Sequence, residues 1–242
     1  MLGPKSDEKR VAVIHFLHEN SLYLLLGVAA IGTFLWLLRL RDRLRIRWYS
    51  ALALSISHVI CGVICVKLFA VLEGNAPADG AMSLFGAVFF LPVVYWLGAR
   101  LAKRDTADVF DVFAVCMIFT LLCARVNCLI AGCCQGRAIP GLEPWRWPTR
   151  EAELVFYVVF LAVSAPKVLR DESRGRVYPL YLISYGIVRS ILECFRVAAT
   201  DNIFHLSHVW AVMALAIGSG IYAELRRRQE RKQAHKHTRE KR

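Results

Sequence analysis

The chain has 242 residues, 57% of them hydrophobic, and a mean hydropathy of +0.44. Soluble domains carry roughly 45–50% apolar residues; here the excess falls in blocks divided by short charged stretches, which excludes a soluble globular domain. The net charge of +12 comes from 31 basic and 19 acidic residues, and because the basic ones sit between apolar blocks they read as membrane topology, not as a nucleic-acid footprint.

Residues 1–20 include Asp7, Glu8 and Glu19 and lack a small-residue cleavage site after a short apolar run, so they do not read as a signal peptide. They are expected to form an extracytoplasmic segment ahead of a seven-helix transmembrane domain at 21–225. A helix crossing the hydrocarbon core needs about 20 mostly apolar residues. Residues 21–38 hold 18 positions without a charge and make the first span. The second, 48–72, carries Lys67 near its end. The third, 81–99, is uncharged.

The fourth span, 109–127, opens on Asp111 and runs into ARVNCLIAGCCQGR at 124–137. That stretch combines Arg125 and Arg137 with Gly132 and Gly136. Glycines allow a sharp turn or a close approach of backbone to a ligand, and an arginine pair flanking such a loop can clamp a phosphate. Cys128, Cys133 and Cys134 lie in the same stretch. Adjacent cysteines make poor joint ligands for one tetrahedral zinc and no CxxC pair is present, so no metal is expected. The other cysteines read as small buried hydrophobes. Trp145 and Trp147 fit either an interfacial belt or packing within the loop.

The fifth span, 152–169, opens on Glu153. The sixth, 177–196, carries Arg189, Glu193 and Arg196 after 12 uncharged residues. Tyr185, Arg189 and Glu193 stand at i, i+4 and i+8 and share one helix face, which Arg196 extends. Ionisable groups at membrane depth are costly and are candidate functional groups. The Arg189–Glu193 pair reads either as a fastener between helices or as part of an anion site. The seventh span is 203–224, and residues 226–242 are expected to be a solvated basic cytoplasmic tail. His58, His205 and His208, near span ends, are expected to pack rather than react.

Arginines and lysines cluster after the first, third, fifth and seventh spans. The expected fold is therefore an all-α, polytopic membrane protein of about seven transmembrane helices, N-terminus outside and C-terminus cytoplasmic.

The motifs resemble those of the bacterial prolipoprotein diacylglyceryl transferases. The family's run GRxGNxxNGExxGR is met here at Arg125, Gly132, Gly136 and Arg137. Its sixth-span pattern YGxxRFxxExxR is met at Tyr185, Gly186, Arg189, Glu193 and Arg196. Pro148 and Glu153 match the stretch that opens its fifth span, Lys67-Leu68 stands for an Arg-Leu late in the second, and Asp111 matches an aspartate. The departures are Phe85 for a histidine, Cys128 and Ala131 for two asparagines, Cys133 for a glutamate, and Trp147 for a second histidine.

The resemblance implies an enzyme of the bacterial inner membrane. It would transfer a diacylglyceryl group from phosphatidylglycerol to the cysteine thiol of a lipobox-bearing or other secreted peptide, with no cofactor and no nucleic acid. It implies catalytic roles for Arg125, Arg189, Glu193 and Tyr185, with Glu153 a candidate base. Arg125, Arg137, Gly132, Gly136, Cys128, Arg189 and Lys67 would meet the substrate. The alternatives are a homologue that binds anionic lipid or lipidated peptide without catalysis, a sister transferase with another acceptor, and a small transporter.

Overall fold

A computed structural model describes residues 18–74, 81–196 and 206–240. The first 17 residues and His205 lie outside the described residues. Among these there are eight helices and no strands: α1 (Ser21–Arg39), α2 (Arg41–Leu44), α3 (Trp48–Leu72), α4 (Phe85–Leu101), α5 (Thr106–Ile130), α6 (Thr149–Leu169), α7 (Val177–Glu193) and α8 (Leu206–Glu240). Five are long and apolar enough to cross a membrane: α1, α3, α5, α6 and Leu206–Arg231 of α8. The helices α4 and α7 have 17 residues each, shorter than the stretches read from sequence. The chain is a polytopic membrane protein.

The helices form where Leu, Val, Ile and Ala dominate, with few charges within the spans, and a hydrocarbon surround forces every backbone group to pair within its own helix. Their ends are marked locally. Asp105 caps α5 through the Ala107 N–H at 3.0 Å. Arg45 and Lys103 turn in the left-handed conformation, with φ of 50° and 51°. The basic tail does not break the last helix, which continues to Glu240 and carries the pairs Arg226–Glu230 at 3.0 Å and Arg228–Glu224 at 2.7 Å on successive turns.

Lipid offers helices no hydrophobic drive to associate, so close packing must come from small residues. The contact between α7 and α8 shows this. A Cβ on Gly186 would lie 2.7 Å from the Ala211 carbonyl oxygen, and one on Gly218 would lie 2.7 Å from Leu182 Cβ. The buried centre is aromatic: Tyr157, Tyr181 and Tyr185 are enclosed, with the Tyr181 and Tyr185 rings 5.4 Å apart.

The connections α1–α3, α4–α5 and α6–α7 meet at one end. There Arg43 binds Asp108 at 2.5 Å, Asp171 at 2.6 Å and the Val168 carbonyl at 2.7 Å. Asp111, fully buried, accepts the backbone N–H groups of Gly175 at 2.6 Å and Val177 at 3.1 Å, so it caps α7 and takes no part in the site described below. The ends of α5 and α7 and the start of α6 lie at the opposite end.

Candidate active site

At that opposite end five buried or half-buried charges form one ladder. Glu153, five residues into α6, accepts Arg125 of α5 on Oε1 at 2.8 Å and Arg189 of α7 on Oε2 at 2.9 Å. Arg189 turns its other terminal nitrogen to Glu193 at 2.9 Å, one helical turn on. Glu193 reaches Arg196 at 3.5 Å. Tyr157 donates to Glu153 Oε1 at 3.1 Å. Arg125, Glu153, Arg189 and Glu193 are each no more than 6% exposed.

Along the ladder three guanidinium groups stand against two carboxylates, with a third carboxyl, Glu73, facing Arg189 and Glu193. Among the described residues, Arg125 Nε, Arg189 Nε and the Tyr185 hydroxyl are buried and have no hydrogen-bond partner. Buried donors are normally paired, so these three point to a group with acceptor oxygens. Phe85, where the resemblance expects a histidine, lies with its ring centroid 5.5 Å from the Arg189 guanidinium carbon and 5.9 Å from the Tyr185 ring. It is an apolar shelf beneath the arginine.

Of the residues singled out from sequence, Arg125, Glu153, Tyr185, Arg189 and Glu193 come together. The candidate base Glu153 has both oxygens engaged by arginines, and its geometry is that of a bridge between them. Arg137 stays off the ladder: its Nε donates to the Arg196 carbonyl at 2.8 Å, and its own N–H to the Phe195 carbonyl at 2.8 Å. It pins the loop after α5 to the end of α7, beside a bridge between Gly136 and Arg196. Gly136 is required there, since a Cβ would meet the Trp147 carbonyl oxygen at 2.1 Å, and Gly132 turns at φ +70°.

Lys67 also stands apart, exposed beside an apolar groove of about 190 Å3 lined by Leu26, Gly62, Met82, Leu121 and Asn127. Trp147 packs on Phe195 with centroids 4.6 Å apart, while Trp145 is 70% exposed. His58 is a packing residue, held by Thr120 at 3.1 Å and Tyr95 at 3.0 Å.

Sequence reasoning missed Glu73. It follows the last residue of α3 and faces Ser83, Trp210, Arg189 and Glu193, and burial pushes its carboxyl above the usual carboxylate range. The signal was a glutamate at a span end beside a glycine, in VLEGN, opposite a span already carrying Arg189. The proximity of the loop cysteines was likewise not read from the sequence. The sulfurs of Cys128, Cys133 and Cys134 all lie within 4.8 Å of one another. Cys134 turns in the left-handed conformation, at φ 57°. Its thiol is held well below the ordinary range, first by the Cys128 thiol and then by the charges of Arg196 and Arg125.

The sequence matches the family described as prolipoprotein diacylglyceryl transferase over residues 13–223. It is 24% identical over 240 residues to a phosphatidylglycerol–prolipoprotein diacylglyceryl transferase of Dehalococcoides mccartyi, covering 88% of this chain and 90% of that protein. A protein of the same name from Polaromonas naphthalenivorans is 29% identical over 143 residues, 52% of this chain and 51% of that one. Another from Clostridium tetani is 24% identical over 152 residues, covering 57% and 61%.

Proposed function

The chain belongs to the prolipoprotein diacylglyceryl transferase family, a family of transferases, and from that premise we propose that it moves the diacylglyceryl group of phosphatidylglycerol onto the cysteine thiol of a secreted peptide at the bacterial inner membrane. The observation that carries this reading is the buried arginine ladder with its three unpartnered donors.

The thiolate sulfur attacks the terminal glycerol carbon of the diacylglyceryl group. A carbon–sulfur bond forms, the carbon–oxygen bond breaks, and glycerol phosphate leaves with the electron pair. The phosphate goes from a singly charged diester to a monoester carrying about −1.5 to −2. That developing charge is what a preorganised dry site must meet. Arg125 and Arg189 supply it, held in place by Glu153. Glu193 orients Arg189, and the Tyr185 hydroxyl donates to a phosphate oxygen. Glu73, with its raised affinity for a proton, is placed to protonate the departing phosphate. The apolar groove beside Lys67 suits an acyl chain.

Orientation follows the basic loops. The end holding Arg43 faces the cytoplasm, and the ladder with its cysteine loop faces outward, where a secreted acceptor arrives.

The test incubates the purified protein with acyl-labelled phosphatidylglycerol and a lipobox peptide. The expected product is a diacylglyceryl thioether peptide, formed in equal amount with glycerol phosphate and absent when the peptide cysteine is serine. Lipid bound without any thioether would overturn the reading in favour of a binding homologue.

A further inference from the structure

We propose that Cys128, Cys133 and Cys134 form a thiolate site for a thiophilic d10 cation of the zinc class, whose open fourth position takes the acceptor cysteine. This rests on the transferase reading above. The chemistry that reading demands has a gap. The nucleophile must be a thiolate. Phe85 occupies the place where a histidine is expected, and Glu153 is tied up between two arginines at 2.8 and 2.9 Å.

The geometry fills the gap. Three thiolates around one zinc at about 2.3 Å stand about 3.8 Å apart in a tetrahedron. The three sulfurs already lie within 4.8 Å of one another, so small rotamer changes complete the site. Cys128 is half-buried at the end of α5, Cys134 is half-buried, and Cys133 is exposed. One face of the triad is therefore open, the arrangement of catalytic rather than structural zinc, which keeps a position for substrate.

The triad is also in the right place. Cys128 lies one helical turn beyond Arg125, and Gly136, two residues past Cys134, is bridged to Arg196 at the far rung of the ladder. A sulfur held on the triad would face the arginines that receive the phosphate.

Each protein thiol gives up its proton to solvent on binding the cation, and so does the incoming thiol, since a coordinated thiol is deprotonated outright. The bound sulfur then attacks carbon as described. The product thioether is neutral and a weaker ligand than a thiolate, so it leaves. No electron is transferred and no oxidant is required.

The test uses the full chain in detergent, stripped with a chelator and kept reduced with a phosphine, and Co2+ as a spectroscopic stand-in. One cobalt per chain should bind, with tetrahedral visible bands and near-ultraviolet thiolate-to-cobalt charge transfer. The charge-transfer intensity should fall by about a third in Cys133→Ser and stay unchanged in Cys194→Ser. Adding a lipobox peptide should raise it by about a third, as a fourth sulfur joins, and the serine peptide should not. Native and Cys133→Ser proteins are compared at equal melting temperature, so that misfolding does not imitate ligand loss.

The inference is overturned if no thiolate band forms, if the cysteine peptide adds no sulfur, or if a disulfide among the three cysteines is recovered in place of thiols. It is equally overturned if stripped protein forms thioether at the undiminished rate. A fourth sulfur without any thioether from phosphatidylglycerol would uphold the cation site and sink the transfer reading instead.

Discussion

Glu153 decides the behaviour of the ladder. Removing one partner of a buried ion pair leaves an uncompensated charge and costs about 3–5 kcal/mol. Glu153→Gln removes the carboxylate shared by Arg125 and Arg189, and should lower the unfolding free energy by that order, read as an earlier midpoint in denaturing detergent. Glu193→Gln should cost less, because Glu193 shares its load with Arg196, whose side chain is 17% exposed. Equal midpoints for the two variants would show that the rungs are independent. Glu73 gives a signed pH effect. Burial raises its carboxyl, so the protonated form persists to higher pH, and its contribution as an acid is lost as pH rises through that raised value. The alkaline fall in kcat should flatten in Glu73→Gln, with a lower rate on the acid side; an unchanged profile would remove it from the reaction. The i, i+4 spacing made Tyr185, Arg189 and Glu193 legible in the sequence. Glu73 was not, because its place depends on how α3 ends against α4 and α8, which no local pattern encodes.

At the scale of elements, the site exists because α5, α6 and α7 end at fixed heights. Asp111 sets the height of α7 by accepting two N–H groups at its start. Asp111→Asn keeps the size of the side chain but loses the charge and one acceptor oxygen. It should destabilise the fold by about 1–3 kcal/mol, read as a lower thermal midpoint, and should reduce transfer only through α7. Unchanged stability would mean that the cap is dispensable. Hydropathy made the seven long helices among the described residues legible, with Trp48–Leu72 matching at both ends. A run of charges does not by itself end a helix. The last helix runs on through the basic tail because alternating Arg and Glu one turn apart support a helix as well as a coil. The closeness of the three sulfurs was not legible, because spacing along the chain cannot reveal a left-handed residue such as Cys134.

For the whole molecule, the account places the basic loops on one side of the membrane and the ladder and cysteine loop on the other. An impermeant maleimide applied to intact cells should label a cysteine introduced as Trp145→Cys, and, after treatment with a chelator, the exposed Cys133. Labelling of both only after lysis would invert the molecule. The central claim is that the buried arginines receive the phosphate as it departs. The most direct test is the initial rate of thioether formation from phosphatidylglycerol for the native protein and for Arg189→Lys, with folding of the variant verified. An ammonium keeps the charge but lacks the planar fork that spans Glu153, Glu193 and a phosphate together. Loss of a desolvated charge-assisted contact is worth about 2–4 kcal/mol, so the rate should drop by about 30- to 1000-fold. A folded Arg189→Lys protein working at the native rate would contradict the account.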